Sequence, residues 1–198
     1  MARVDTWEEH EHGFGWIEAG RLARAGHALA REGRVWLVDP FDCEELDIRV
    51  RALGEPAGVV QLLDRHERDC AAIAARLGVP HHVVPFTPPP GFPFALLPLL
   101  HRRHWREAAL WWPEERLLLC AEAIGSSPYF RARGEQIGVH PFLRLTPPRQ
   151  LLGLAPLQLL CGHGRGIHGP GVAAVLDEAI RTARRRAPGA WLDLLRRG

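Results

Sequence analysis

Short apolar runs, each about five or six residues long and each closed by a turn or a polar residue, constrain the fold most strongly. Runs of this length are too short for independent helices and are typical of buried strands. Two of them are separated only by Pro113-Glu-Glu115, which predicts a hairpin. The predicted strands span 34–38, 58–63, 81–85, 107–112, 116–121 and 156–161.

Helical patterns lie between and after these strands. The stretch 43–53 begins with acids and ends at Gly54, and 70–77 lies between a capping Asp69 and Gly78. Apolar residues at helical spacing predict an amphipathic helix from 172 to about 186, with a last helical turn or two at 191–195. Because strands and helices are mixed throughout, we expect an α/β or α+β sandwich in one domain spanning 1–198.

Composition excludes several classes of protein. The chain is 46% apolar and 24% charged, which is ordinary for a globular protein and argues against disorder. A net charge of +2 makes nucleic acid an unlikely default partner. We see no signal peptide, no membrane-spanning stretch and no CxxC pair among the four cysteines, so we expect a cytoplasmic protein with reduced thiols. All 25 basic residues are arginine, which indicates a bacterial genome of high GC content.

Four landmarks in order resemble the metallo-β-lactamase superfamily. Leu37-Val-Asp-Pro40 resembles its first strand, which ends in Asp, and Leu62-Leu-Asp-Arg-His-Glu-Arg-Asp-Cys70 resembles the strand that leads into its HxHxDH loop. The segment 108–122 resembles a hairpin ending in a metal-bridging Asp, and Cys161-Gly-His-Gly164 resembles a last GHG loop. The resemblance implies a four-layer αββα sandwich with a metal site at one edge between two sheets.

The resemblance also locates departures from the family motif. Aligned on Asp69, the first two histidine positions hold Arg65 and Glu67, and the final one holds Cys70. His66 then occupies a spacer position, and its side chain is expected to point away from the ligand face.

The other motif positions are matched unevenly. Asp39 matches the first-strand Asp, Glu122 stands for the bridging Asp, and His163 is retained. The middle histidine is His104 or His101, without its usual GHTxG context.

These departures argue against a normal two-metal site. Two zinc ions need about three histidines and shared carboxylates, whereas Arg65 has no lone pair and adds a positive charge. Our leading hypothesis is therefore a non-hydrolytic protein without a cofactor, which binds a small-molecule or protein ligand through the old cleft. The polar network of that cleft would comprise Arg65, Glu67, Asp39 and His104, together with Asp69, Glu122 and His163.

Two alternatives remain open. The first is a hydrolase of an ester, thioester or phosphoester, with one zinc, iron or manganese ion held by Asp69, Cys70, Glu122 and His163. The second is a structural homodimer formed through Pro85–Leu100, a proline-rich stretch predicted to be an apolar loop carrying Phe86, Phe92 and Phe94.

Two further clusters are expected to have no role in binding. His10 and His12 form an HxH pair that we expect to be exposed and inert near the N-terminus. The C-terminal arginines are expected to form a solvated helix face rather than an RNA-binding surface. They are Arg181, Arg184, Arg185, Arg186, Arg196 and Arg197.

Overall fold

A computed structural model describes residues 2–197, with side chains for residues 2–195. Within this range the chain forms two large β-sheets, a two-stranded ribbon and three α-helices. In chain order the elements are β1 (Val4–His10), β2 (Gly13–Glu18), β3 (Ala25–Arg31), β4 (Arg34–Val38), α1 (Leu46–Leu53), β5 (Glu55–Gln61), α2 (Cys70–Leu77), β6 (His81–Val83), β7 (Ala95–Arg102), β8 (Trp105–Trp112), β9 (Leu117–Cys120), β10 (Ile124–Gly125), β11 (Gly138–Val139), β12 (Gln158–Cys161), β13 (Ile167–His168) and α3 (Val172–Arg197).

The first sheet has the order β1-β2-β3-β4-β5-β6. Its first four strands form an antiparallel meander, whereas β4, β5 and β6 are parallel. Parallel neighbours need a crossover connection, and here α1 and α2 supply it. Leu46 and Val50 of α1 and Ile73 of α2 pack with residues of this sheet into one buried cluster.

The second sheet has the order β13-β12-β9-β8-β7. The strands β7, β8 and β9 are antiparallel, but β12 lies parallel to β9 in a register that pairs Cys161 with Cys120. Because parallel strands end at the same edge of a sheet, the residues that follow these two cysteines leave it side by side. Leu176 and Ile180 of α3 are buried in the cluster on the outer side of this sheet.

A third buried cluster joins the two sheets. Trp36 and Val60 of the first sheet belong to the same cluster as Leu110 and Leu119 of the second. Since separate clusters lie under α1 and α2 and under α3, the layers follow the order αββα. No helix within residues 2–197 has the length and apolar content needed to cross a bilayer.

The structure confirms several predicted elements and corrects others. The helix predicted over 70–77 is found with those bounds, whereas α3 passes through Pro188 and does not end near residue 186. Its last turns are anchored because Trp191 Nε1 donates a hydrogen bond to Pro141 O at 3.1 Å.

The predicted apolar loop Pro85–Leu100 is wrong in its second half, where β7 begins at Ala95. Phe92 and Phe94 are 7% and 2% exposed and pack in the core between the sheets, so they do not form an exposed flap.

The N-terminal expectations also need correction. His10 and His12 lie at the end of β1 and in the turn that follows it, and the side chain of His12 is only 10% exposed. Burial lowers the pKa of His10 to about 3. Of the C-terminal arginines, the side chains of Arg196 and Arg197 lie outside the described residues.

Candidate metal centre

The candidate site lies where strands of both sheets end. Asp39 follows β4, and the loop after β5 carries His66. In the second sheet Glu122 follows β9 and His163 follows β12, each two residues beyond the paired cysteines. The topology therefore brings side chains from four separate segments to one edge of the sandwich.

Three side chains form a compact donor group. A ring nitrogen of His66, a ring nitrogen of His163 and a carboxylate oxygen of Glu122 all lie within 4.8 Å of one another. The two Nε2 atoms are 3.3 Å apart. Both histidines are buried, and the side chain of Glu122 is 18% exposed, so the group faces outward at the carboxylate.

Hydrogen bonds fix the tautomer of each histidine. Nδ1 of His66 is 3.1 Å from Asp39 Oδ2, and Nδ1 of His163 is 3.0 Å from Leu22 O. A carboxylate or carbonyl oxygen can only accept, so Nδ1 carries the proton in both rings. Burial lowers the pKa of His66 and lowers that of His163 to about 2, so both rings are neutral and carry a lone pair on Nε2.

Two neutral imidazoles therefore present lone pairs to each other across 3.3 Å. That contact is unfavourable unless an electrophile lies between the nitrogens. Two nitrogens bound to one tetrahedral zinc at about 2.05 Å lie roughly 3.4 Å apart, which matches the observed spacing. A proton-bearing Nδ1 held by an oxygen is also the usual outer-shell arrangement of metal-binding histidines. The donor group fits a metal ion.

A buried glutamate positions Glu122. The side chain of Glu107 is fully buried, and its Oε1 accepts hydrogen bonds from the backbone N–H groups of Glu122 and Ala123 at 2.8 and 2.7 Å. Its other oxygen accepts from Trp105 Nε1 at 2.9 Å. Burial raises the pKa of Glu107 to about 7, against the opposing effect of these three donors. These bonds fix the backbone at the start of the loop that carries Glu122.

Two further groups contact the carboxylate of Glu122. Arg65 Nη2 donates to Glu122 Oε2 at 2.7 Å, and the Arg65 guanidinium stacks 4.1 Å from the ring of Trp105. On the other side, His140 Nε2 is 3.9 Å from Glu122 Oε1. Because Nδ1 of His140 accepts from Phe142 N, its Nε2 carries the proton and points a donor towards the carboxylate. Burial lowers the pKa of His140 to about 4.

A second arginine lies behind the donor group. Arg68 donates from Nη1 to Ala25 O and Asp39 O, both at 2.6 Å, and from Nη2 to Gly162 O at 3.1 Å. The same Nη2 is 3.5 Å from His66 Nε2. Three carbonyl oxygens from both sheets therefore hold a fixed positive charge beside one histidine.

The donor group differs from the set proposed from the sequence. Glu122 and His163 are in it, but Asp69 and Cys70 are turned elsewhere. Asp69 Oδ2 accepts from Asp42 N at 2.8 Å, while the fully buried Cys70 thiol lies 3.4 Å from His66 O. Burial raises the pKa of Cys70 well above its usual value, so the thiol stays protonated.

His66 takes their place. The expectation that its side chain points away from the ligand face is wrong, since its Nε2 faces His163.

The remaining sequence candidates play smaller parts. His104 contributes only its backbone carbonyl, which accepts from Arg65 Nη1 at 3.2 Å, and the ring of His101 packs 4.8 Å from Phe86. The exposed Glu67 carboxylate makes no hydrogen bond to the residues that the structure describes.

Sequence reasoning missed Glu107, Arg68 and His140. For Glu107 alone there was a signal, an acid at the start of the apolar strand predicted over 107–112.

Comparisons with known proteins bear on the fold. No family model matches the chain, and no curated protein matches it. Among solved structures, the DIM-1 metallo-β-lactamase exposed to ceftazidime is 13% identical with a TM-score of 0.59, covering 92% of this chain and 97% of that one. The BLEG-1 B3 metallo-β-lactamase is 13% identical with a TM-score of 0.57, covering 82% and 94%.

The structure of a peroxy diiron species of the chemotaxis sensor ODP is 12% identical with a TM-score of 0.57, covering 98% of this chain and 99% of that one. This chain has the metallo-β-lactamase fold.

Proposed function

We propose that this protein binds a single divalent metal ion, zinc in the first instance, through His66, Glu122 and His163, and that it hydrolyses an ester, thioester or phosphoester there. The observation that carries the proposal is the pair of facing Nε2 lone pairs, 3.3 Å apart, whose tautomers are fixed by Asp39 and Leu22. These tautomers leave the Nε2 lone pairs of both rings available to one metal ion.

The number of donors supports catalysis rather than a purely structural ion. Structural zinc sites are closed by four protein ligands, whereas catalytic sites keep three and leave one position for water. A zinc ion in such a site supplies a water molecule whose pKa is lowered to about 7, which makes it a nucleophile at neutral pH. The side chain of Glu122 is 18% exposed, which gives solvent partial access to the donor group at the carboxylate.

The charges around the site support one ion rather than two. Arg68 places a guanidinium beside His66, and Arg65 places another on Glu122. A second dication would lie among these fixed positive charges and would lack Asp69 and Cys70 as ligands. We infer that the arginines take over the charge that a second metal would carry.

The similar structures support this chemistry only by analogy. Those structures are of metallo-β-lactamases and of a peroxy diiron species, so the fold hosts metal sites in those proteins. Because a fold can outlive its chemistry, the metal-binding donors of this chain itself carry the proposal.

A second function is favoured by one specific contact. The 2.7 Å bond from Arg65 to Glu122 already neutralises the carboxylate, as expected of a metal-free cleft that binds a ligand without hydrolysing it. In that version Arg65 and Arg68 contact the ligand directly, and no metal ion is needed.

Calorimetric titration of the chelator-stripped protein with zinc separates the two functions. We expect one equivalent bound by the wild type and none by His163→Ala, whereas His168→Ala, an exposed histidine a few residues away, binds as the wild type. The zinc-loaded protein is then assayed with p-nitrophenyl acetate, bis-p-nitrophenyl phosphate and an acyl thioester. Zinc binding without hydrolysis of any of the three would reject the hydrolase. Absence of zinc binding would reject the metal site and leave the metal-free cleft.

We also propose a cytoplasmic location. All four cysteines are free and buried, as is usual for a protein kept in a reducing compartment. Secretion of the native protein into an oxidising compartment would contradict this.

A further inference from the structure

A large cavity among the described residues lies beside the metal centre but does not include it. Its volume is about 450 Å³, within the range of small-molecule sites. It opens between the β1–β2 edge of the first sheet, the segment 126–136 and the residues that follow His163. None of the three donors of the metal centre lines it.

Two polar groups in the wall of this cavity lack partners. Ser127 is 2% exposed, and its hydroxyl makes no hydrogen bond among the described residues. Arg131 is half-buried with a fully buried Nε, and its guanidinium makes neither a hydrogen bond nor an ion pair within the described part of the chain. A buried donor without an acceptor costs free energy, so both groups call for an acceptor that the protein itself does not supply.

The charged side chains in the cavity wall favour an anionic ligand. Glu18, in the same wall, is neutralised because Arg24 donates to both of its carboxylate oxygens. Asp5 is exposed and accepts from Thr6, whereas none of the acids that the structure describes pairs with Arg131. The wall also has apolar parts, which include Ala19, Ala23 and Ile167. A ligand that satisfies both parts has an oxyanion at one end and hydrocarbon at the other.

We propose that this cavity binds a small organic anion whose carboxylate or phosphate group pairs with Arg131 and Ser127, and whose hydrocarbon body lies against Ala23 and Ile167. The site is independent of the metal ion, but it shares a wall with the loop that holds His163. Ser126 N and Ser127 N both donate to His163 O, at 3.0 and 3.2 Å. A ligand on Ser127 therefore contacts the segment that supports the metal-binding histidine.

Titration with three probes of equal chain length tests the proposal. Hexanoate, hexyl phosphate and neutral hexanamide are titrated by calorimetry into the chelator-treated protein, so that a bound metal cannot hold the anion. We expect saturable binding of at least one anion at a single site and none of hexanamide. Binding of hexanoate alone identifies a carboxylate ligand, and binding of hexyl phosphate alone identifies a phosphate. If neither anion binds, or if hexanamide binds equally well, the proposal is overturned.

Matched arginine variants locate the site. Arg131→Gln is expected to weaken anion binding by about tenfold or more, since a charge-assisted bond is lost. Arg133→Gln, an exposed arginine two residues away that does not line this cavity, is expected to bind as the wild type. Equal affinity of Arg131→Gln and wild type would refute the proposal.

If a variant fails to fold, NMR chemical shifts of the backbone amides of the wild-type protein still test the proposal. The anion is expected to move resonances of residues 126–131 and 164–167. Shifts confined to other surfaces would overturn the assignment.

Discussion

Replacing Asp39 by Asn tests the tautomer argument without removing a metal ligand. Asp39 Oδ1 accepts from Leu62 N at 2.9 Å, and an Asn side-chain oxygen can keep this bond. The amide NH₂ then faces Nδ1 of His66 where Oδ2 lies now. Because two donors cannot face each other, the His66 proton moves to Nε2 and its lone pair moves to Nδ1. Residue 39 has φ of 45°, a conformation that Asn tolerates as well as Asp.

The expected magnitude follows from these bonds. Loss of an outer-shell carboxylate lowers metal affinity by about 10–100-fold, or about 1.4–2.7 kcal/mol. The unfolding free energy of the metal-free protein is expected to change far less. It loses one charge-assisted bond of about 1.5–3 kcal/mol but gains two neutral ones of about 0.5–1.5 kcal/mol each, from the Asn amide to Nδ1 and from His66 Nε2 to His163 Nε2. We expect its unfolding free energy to change by about 1 kcal/mol, which is about 2–4 °C in Tm.

Zinc affinity is measured by competition with a chromophoric chelator, and metal-free stability by thermal unfolding in EDTA. Asp42→Asn is the matched control, because Asp42 pairs with Arg76 and lies outside the donor group. Zinc affinity of Asp39→Asn within about threefold of the wild type, at comparable metal-free stability, would refute the reasoning from tautomers.

Three other changes have defined outcomes. Arg65→Gln is expected to raise zinc affinity by a few-fold, since a half-exposed ion pair worth up to about 1 kcal/mol no longer competes for Glu122; weaker zinc binding would show that Arg65 assists the metal. Arg144→Met is expected to cost about 3 kcal/mol in chemical unfolding, because it leaves the buried Glu135 carboxylate with only the more distant Arg186 at 3.9 Å as an ion-pair partner; a loss below 1 kcal/mol would contradict this. His140 has a pKa of about 4 in the folded protein and about 6.5 when unfolded, so the unfolded chain binds the extra proton between these values and stability falls as pH is lowered through this window. The measured quantity is the slope of the unfolding free energy against pH between these values, in EDTA. His140→Phe is expected to reduce this slope by the equivalent of about one proton, and an unchanged slope would show that His140 is charged in the fold.

The edge of the second sheet could be predicted from the sequence because its signals are local. The apolar runs that became β9 and β12 each end just before a chemically active residue, Glu122 or His163. The two segments are parallel neighbours, so their ends meet. Glu122 and His163 were assigned through the resemblance to the metallo-β-lactamase superfamily, and the parallel pairing of β9 with β12 explains why the two residues meet.

The third ligand was missed because the chain does not alternate in the loop after β5. His66 N donates to Leu63 O in a turn, and Arg68 has φ of 40°, a left-handed conformation. Counting back from Asp69 with strand periodicity therefore assigned His66 to the wrong face. Neither the turn nor the left-handed residue has a sequence signal at these positions, which hold no glycine.

The other omissions have non-local causes. The strand β1 is rich in polar residues and belongs to the edge of its sheet, so it lacks an apolar run. The strand β7 contains Pro98, which favours a loop, but it is an edge strand whose pairing with β8 shifts register between Pro98 and Leu100. The partners of the site histidines, such as Leu22 O, are set by packing between segments far apart in sequence.

Anomalous diffraction at the zinc edge, from crystals grown with zinc, locates a bound ion directly. We expect one strong peak bounded by His66 Nε2, His163 Nε2 and the Glu122 carboxylate, with Asp69 and Cys70 not coordinated. No peak at this point in excess zinc, or a pair of neighbouring ions there, would contradict the proposed single-metal centre.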